Sequence, residues 1–581
     1  MVVWDNSRFS VVLKLNGLLS RYFLKLIIVL LVYSLSYASN ANDFTHITTN
    51  TLFKSDIDKY LVNNTLKIPL TFHFQPSFRQ SKSIITFAIP FPKGIAKNIE
   101  LISLRDKNGN EIPSSVSRLI DWRDLHSNKT VSIRSVLFKL DSKDLTNRDS
   151  AYFVFYGKKR KLKKDIDTPP SQSWVTIDNG VYPDEYPINE QIKEPAVYVT
   201  LPTDWLSACL LRTRTIPLGS SSGLSWFDTA YENYSKTAVN DVDPRVTADN
   251  KINYASDAEP WLFDRATTLF GIYIRTGDIK WLRHAHRAAQ FYANHVSAEG
   301  FFDLKSYEDL KYSYGQSMLL DYMLFGDARL LPKIEAVAKA GEGWNPVYTI
   351  SRGFWTERHQ TYALLAALSA WEATGNDRHA ARVREVVGAS FGHALNPPNG
   401  WPAIGCMPHT RSSHEGDATH EAVCSPWMGA LFADAIWRYY IHSNDKNALV
   451  FLGDYADFLV KYGTYIVSAD VAHISGRTMP WYMASHEFQF SDSGPWADYE
   501  HTCNVAGAMA KGMWAKKQLD EDTEAIKDTL EELLYSCNEV LDRWHRPRSI
   551  NTGNPVWRLS PPRKYNWWFG TNLDMPWILS Q

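Results

Sequence analysis

Between Cys406 and Cys424 the chain reads CMPHTRSSHEGDATHEAVC, with three histidines, an arginine and three carboxylates between two cysteines. Such a set can do three kinds of chemistry. Cys406, His409, His420 and Cys424 have the ligand types and spacings of a closed structural zinc site. A Cys406–Cys424 disulfide would instead close a short loop and stabilise the fold by roughly 3 kcal/mol in the chain-entropy view. Alternatively, Arg411, His414 and Glu415 at the apex meet a substrate directly, with either staple behind them. The sequence leaves all three open.

Two other short stretches carry similar groups: Glu357-Arg358-His359 and Tyr499-Glu500-His501. Elimination next to a uronate needs a cation to neutralise the carboxylate, a base for the α-proton and an acid for the leaving oxygen. Arg358 and Arg411 suit the first role, His359 and His414 the second, and Tyr499 or Tyr314 the third. Glu357, Glu415, Asp498 and Glu500 would equally suit a hydrolase, which places two carboxylates about a sugar. A non-catalytic glycan-binding protein is the third class. Each residue also has a plain alternative: Arg358 pairs with Glu357 or Glu372, and His359 satisfies a helix end. None of this chemistry requires a cofactor; structural zinc at the Cys406–Cys424 loop is the metal the sequence allows.

These groups need elements to position them, and the chain falls into recognisable regions. Residues 1–38 have the form of a signal peptide, with Arg8, Lys14, Arg21 and Lys25 ahead of LIIVLLVYSLSYA and small residues at Ser36 and Ala38. Export to a periplasmic or extracellular space, where disulfides persist, is the expectation. From 45 to 160 the signals are those of strands. TLKIPLTFHF alternates Leu66, Ile68, Leu70, Phe72 and Phe74 against Lys67, Thr71 and His73, and Asn108-Gly109 marks a tight turn. The run GKKRKLKKD (157–165) reads as a solvated boundary, and 161–260 as a linking region.

From 261 to 545 the period becomes helical and repeats. RTGD (275–278), FGD (325–327), TGND (374–377) and SND (443–445) each separate two apolar-periodic segments, and a fifth pair lacks the glycine. Helical hairpins in series must stack as a solenoid or a closed ring to bury their apolar faces. Turns within hairpins are short, whereas connections between them are long: 341–358, 393–427 and 463–503. Antiparallel helices put all the long loops on one rim. That rim collects Trp344, Trp355, Trp401, Trp427, Trp481 and Trp496 beside helix N-termini. Aromatic platforms and cations together suit an anionic polysaccharide or oligosaccharide, with Trp355, Trp401, Trp427, Trp481, Trp496 and Tyr314 as its sugar-facing rings. Residues 546–581, rich in Pro, Trp and Asn, read as a packed tail.

The stretch ITFAIPFPKGIAKNIELISLRDKNGNEIPSSVSRLIDW (85–122), with TF-x-x-PFPKG, the L-x-D-x-x-G-x-x-(I/V)-P strand pair and a following Trp, resembles the start of the RIFT-barrel domain of exo-acting rhamnogalacturonan lyases. FWTERHQTYALLAALSAWEATGND (354–377) is similar to their second, α-toroid domain. The resemblance implies a β domain followed by an α/α toroid that carries the site, in an exported polysaccharide lyase. The sequence departs from that family in WRDLHSNKTVSIRSV (122–136), and the tail is too short for a further C-terminal β domain.

Composition narrows the alternatives. Lys and Arg total 62 against 63 Asp and Glu, which speaks against a nucleic-acid binder. No H-E-x-x-H, G-x-x-x-x-G-K-[ST], Rossmann fingerprint or G-x-S-x-G elbow occurs. Stable membrane insertion is not expected once the leader is removed.

Overall fold

The structure is a computed structural model. It describes residues 57–581, apart from 63–64, 77, 79–82, 146–150, 178–191, 222, 240–256, 348–355, 416–419, 472, 492–493, 545–556, 558 and 560. Residues 1–38, read from sequence as a signal peptide, lie outside the described residues. Lys59 onward belongs to one compact unit.

The unit begins with two antiparallel sheets. The larger is built on β1 (Thr65–Phe74), β3 (Ile102–Asp106), β6 (Tyr152–Tyr156) and β7 (Val197–Thr200), in the order β7-β1-β6-β3; the short strands Leu61–Val62 and Glu111–Ile112 lie at its edges. The smaller sheet is β2 (Ile84–Pro90), β5 (Thr130–Asp141) and β4 (Ser115–Arg123), with β5 central. In β1 the predicted alternation holds: Leu66, Ile68 and Leu70 are buried, while Thr71 on the opposite face is exposed. Gly109 takes φ +84°, the left-handed value that the Asn-Gly turn before Glu111 requires. The sequence reading is met at the level of an antiparallel β unit ahead of helical hairpins. One strand of that unit, β7, comes from the stretch read as linking region; it pairs with β1 from Val197↔Phe74 to Thr200↔Thr71.

Five hairpins follow: α2/α3 (Arg265–Thr276, Ile279–Asn294), α4/α5 (Gln316–Phe325, Leu330–Glu342), α6/α7 (Thr356–Thr374, Asp377–Leu395), α8/α9 (Pro426–Ser443, Lys446–Phe458) and α10/α11 (Thr502–Gln518, Glu524–Glu539), preceded by α1 (Ser225–Ala238). The recurring turn has a simple physical basis. Gly277, Gly326, Gly375 and Asn444 end the first helix in the left-handed conformation. Asp278, Asn376 and Asp445 then cap the second helix, accepting a backbone N–H two residues on. Stop and start signals therefore sit side by side, and the chain reverses in two residues at three of these turns and in four after Phe325.

The first helices α2, α4, α6, α8 and α10 pack side by side as an inner layer. The ring is closed by the tail: the turn Asn566–Gly570 sits between α10 and α2. Outside it, α1 lays Tyr231 flat on Phe569 at 4.6 Å, and Ser235 shares a 2.8 Å hydrogen bond with Tyr565. The sixth pair of the ring thus comes from two segments more than three hundred residues apart. This explains why no sixth hairpin is legible between 200 and 260.

The short-turn rim docks on the β unit. Asn128 donates to the Gly375 carbonyl at 2.6 Å and accepts from Trp371 Nε1 at 3.0 Å, and Ser135 donates to the Met323 carbonyl at 2.7 Å. Arg134 pairs with Glu372, which also holds Arg438 at 2.7 Å. These β-unit contacts all come from 122–136, the stretch in which the sequence departs from the lyase pattern. No described helix is long and apolar enough to cross a membrane.

Candidate functional site

The long-loop rim is the side away from the β unit, and two layers of side chains meet there. The deeper layer surrounds a cavity of about 30 Å³ at the centre of the ring, room for about two water molecules. Asp264, Asp434, Arg212, Tyr314, Gln316 and Tyr362 are among its lining. Phe263 and Asp264 both have positive φ, +71° and +59°, in the turn that starts α2. Neither is glycine, and such conformations cost on the order of 1–3 kcal/mol each and concentrate at functional sites. Asp264 caps α2, accepting from Thr267 N–H at 3.1 Å and Thr267 Oγ1 at 2.7 Å. Burial nevertheless raises its carboxyl above the usual Asp value, against these hydrogen bonds and the nearby Arg212.

Asp434 faces the same cavity in a different setting. Arg212 pairs with it, Lys511 lies 3.6 Å away, and Lys511 also bonds Asp574 of the tail at 2.9 Å. The cavity therefore holds one carboxyl biased toward its acid form and one carboxylate ion-paired with buried cations.

Above it lies an aromatic and cationic layer. Trp427 stacks on His501 with centroids 4.7 Å apart, and both meet Trp567, at 5.5 and 5.0 Å. Arg358 lies over Trp427 at 4.9 Å and Arg563 over Trp567 at 5.1 Å. Phe263 joins the layers, 5.2 Å from Trp567 and 6.3 Å from Tyr362. Burial lowers the Arg358 guanidinium to about 10. Burial, reinforced by Lys564, Arg563 and Arg358, lowers His501 to about 3. Lys311 comes down to about 8 through burial and the neighbouring Arg358. Trp427 Nε1, Trp567 Nε1 and His501 Nδ1 are buried with no hydrogen-bond partner among the described residues. Unsatisfied polar groups gathered in one cluster mark a place where something other than this fold completes the bonding.

The structure brings together only some of the residues picked from sequence. Arg358 and Trp427 are in contact, and Tyr314 lies in the cavity beneath. Tyr314 accepts from Phe263 N–H at 2.6 Å, and burial keeps its phenol well above the usual Tyr value. The others are dispersed. His359, one residue from Arg358, stacks on Trp344 at 4.9 Å. Tyr499 donates to Glu539 of α11 at 3.3 Å, with Trp496 beside it. Trp481 stacks on Tyr465 at 3.8 Å, and Arg411 lies over Phe490 at 4.4 Å. Trp401 is half-buried at the end of a short turn. Trp355 and the side chains of His414 and Glu415 lie outside what is described.

Glu372 and Glu357, the partners considered for Arg358, each hold other groups. Glu372 serves Arg134 and Arg438 at the opposite rim. Glu357 is 3.0 Å from His409 and accepts the Ser425 N–H at 3.1 Å; His409 and that N–H outweigh burial and hold its carboxyl below the usual Glu value.

Cys406 and Cys424 form a disulfide, so neither sulfur is available to the zinc set considered from sequence. His409 turns to Glu357, His420 is exposed, and no group of metal-ligating side chains occurs among the described residues. A second disulfide, Cys503–Cys537, ties α10 to α11, and Cys209 is left buried and unpaired. The long loops are knitted further by small ladders, His409–Thr410 with Ala422–Val423 and Thr464–Ile466 with Thr478–Pro480, and by a bridge from Cys424 to Ala484.

Sequence reasoning left out Asp264, Asp434, His501, Trp567, Arg563 and Lys564 as site residues. Half of these come from the tail. The signal available was the run YNWWFG (565–570), whose rings could not remain in water.

Fold and site define the class as an antiparallel β unit followed by an α/α toroid with a cavity at its centre. No protein-family model matches the chain, and no curated protein matches it. Among solved structures, an unsaturated glucuronyl hydrolase mutant from Streptococcus agalactiae is 13% identical, with a TM-score of 0.39, covering 62% of this chain and 97% of that one. An α-1,6-mannanase variant of Salegentibacter sp. HEL1_6, in complex with a mannotetraose, is 14% identical with a TM-score of 0.38, covering 61% and 99%. A family 76 glycoside hydrolase from Bacteroides thetaiotaomicron is 10% identical with a TM-score of 0.37, covering 84% and 99%.

Proposed function

We propose that the chain is a glycan-active enzyme of the hydrolase type, acting on an acidic polysaccharide or oligosaccharide at the long-loop rim. One observation carries the reading: Asp264, on strained backbone at the central cavity, is a carboxyl biased toward its protonated form. Hydrolysis of a glycosidic bond needs such an acid, with a second carboxylate to activate water. Asp264 holds the proton for the leaving oxygen, and Asp434 orients the water. The cavity suits water rather than a sugar ring, and Trp427 and Trp567 above it are buried, so a sugar reaches Asp264 only when that layer parts. Arg358 joins Arg563, Lys564 and Lys311 in that layer, the last three paired with Glu259, Glu500 and Asp309, and the excess of cations favours a substrate bearing carboxylates or other anionic groups.

Elimination by the same residues would use Arg358 to neutralise a uronate and His501 as base. An imidazole lowered to about 3 is a weak proton acceptor, so His501 makes a poor base; of the bases read from sequence, His359 stacks on Trp344, and the His414 side chain lies outside the described residues. The two disulfides suit an oxidising compartment, in keeping with export.

The test is a panel of acidic and neutral polysaccharides and their oligomers, followed for reducing ends and for ultraviolet absorbance of unsaturated uronates. The reading expects reducing ends without absorbance, abolished in Asp264→Asn. Absorbance growing in step with reducing ends would establish elimination instead.

A further inference from the structure

The strongest concentration of charge on this chain lies on the β unit, in residues that do not line the toroid's cavity. Residues 158–164, KKRKLKK, carry six cations in seven positions on a protein of net charge −1. The run leaves the end of β6 and is held along the start of β3: Gly157 N–H donates to the Leu101 carbonyl at 3.1 Å and Arg160 N–H to the Glu100 carbonyl at 2.8 Å. Lys163 pairs with Glu100, and Lys164 with Asp141 and Asp144. Lys158, Lys159 and Lys161 are exposed and form no ion pair among the described residues. Arg160 among them is 93% buried, yet its Nε and Nη1 have no hydrogen-bond partner among the described residues. A buried guanidinium left partly unsatisfied is costly and calls for an acceptor from outside the fold.

The adjoining sheet face continues the pattern. One face of β6 buries Tyr152 and Val154 in the core, and the other presents Phe153 and Phe155, both half-buried. The register places Lys67 of β1 opposite Phe155, and Arg105 of β3 opposite Phe153. The Lys67 ammonium stands 4.0 Å from the Phe153 centroid, and the Arg105 guanidinium 5.5 Å from Phe155. Glu111 joins stripe and run, accepting from Arg105 at 3.1 Å and from the Lys161 N–H at 2.7 Å. Apolar rings flanked by cations on the outward face of a sheet offer stacking and charge along one line.

We infer that this face of the β unit is a second binding site, separate from the cavity, for an acidic polysaccharide chain. Sugar faces lie on Phe153 and Phe155, while Arg160, Lys158, Lys159 and Lys161 take the carboxylate or sulfate groups. The rings favour a sugar polymer over a ligand read by charge alone, and the cations favour an acidic one. The site goes beyond the proposed hydrolysis, because it would hold polymer whether or not the cavity performs the chemistry.

The test is affinity electrophoresis of full-length protein in gels containing polygalacturonate, dextran or neither, in an Asp264→Asn background so that the polymer stays intact. Lys158→Ala/Lys159→Ala/Lys161→Ala and Phe153→Ala/Phe155→Ala are compared, with thermal unfolding as a check on folding. The expected result is retardation by polygalacturonate only, weakened by salt and reduced about fivefold or more in the lysine variant. Turnover of a short oligosaccharide by the lysine variant with Asp264 intact stays at the wild-type rate. That arm separates failure of this site from failure of the hydrolase reading. Unchanged retardation in the lysine variant, equal retardation by dextran, or tighter binding of a single-stranded oligonucleotide or phosphatidylserine vesicles would each overturn the inference. The lysine variant alone decides the matter if removing both phenylalanines unfolds the sheet.

Discussion

The two rims of the ring are built from the same helices and put their buried polar groups to opposite uses. At the short-turn rim, Glu372 takes Arg134 and Arg438, His442 stands 3.3 Å from it, and Trp122 covers the group from the β unit. Its charges have partners on both sides, which is what holding two units together requires. At the long-loop rim, ring nitrogens are buried without hydrogen-bond partners among the described residues, two consecutive residues sit at positive φ, and burial raises a carboxyl above the usual Asp value. A network of paired charges stabilises an interface even with Arg134 Nε and His442 Nε2 lacking a hydrogen-bond partner among the described residues, whereas unpartnered ring nitrogens gathered beside a cavity mark a place for an outside group.

Asp264→Asn separates the rims most sharply. We expect turnover to fall by about 10²–10⁴-fold, because an amide keeps the cap but holds no transferable proton. Thermal unfolding should move little. Glu372→Ala should do the reverse. Leaving Arg134 and Arg438 buried without their carboxylate costs about 3–5 kcal/mol in denaturant unfolding, while the folded fraction keeps its turnover. If Glu372→Ala lowers kcat more than it lowers stability, the rims are coupled and the contrast fails.

The staple of the long loops comes next. Cys406→Ala/Cys424→Ala should lose roughly 3 kcal/mol, and elemental analysis of the wild type should find no stoichiometric zinc. Acid probes both rims together. Burial lowers His442 to about 4, so the fold favours its neutral form. That stability is complete above the unfolded value near 6.5 and is lost as pH falls from there to about 4, amounting to roughly 3 kcal/mol. His501, lowered further, adds a loss of the same sign. Glu372, held well below the usual Glu value by Arg438, His442 and Arg134 despite its burial, adds another only at more acid pH. Urea unfolding between pH 7 and 4 should therefore fall steeply, and His442→Asn and His501→Asn should each remove part of the slope. The smallest effect is expected from Gly375→Ala. At φ +68°, with Arg123 against the added methyl, it should cost about 1–2 kcal/mol and leave turnover unchanged.

The sequence alone determined the hairpins, since helix ends are written locally. A glycine or asparagine able to turn left-handed, followed at once by a capping Asp or Asn, stops one helix and starts the next whatever surrounds it. It also determined which rim would gather the long loops, because antiparallel order follows from loop length. Arg358 and Trp427 were legible for that reason, one at the start of α6 and the other at the start of α8. His359 was equally legible, but neighbours on a helix point about 100° apart, so Arg358 meets Trp427 and His359 meets Trp344.

Only the tertiary structure decided which side chains share a space. It brought the tail back to close the ring, so that Trp567 and Arg563 stack beside residues far away in the chain. It put Asp264, an ordinary cap by its local sequence, at the edge of a cavity where burial changes its acidity. Periodicity and capping are properties of a few adjacent residues, whereas burial, desolvation and closure depend on segments that meet only when the ring is complete.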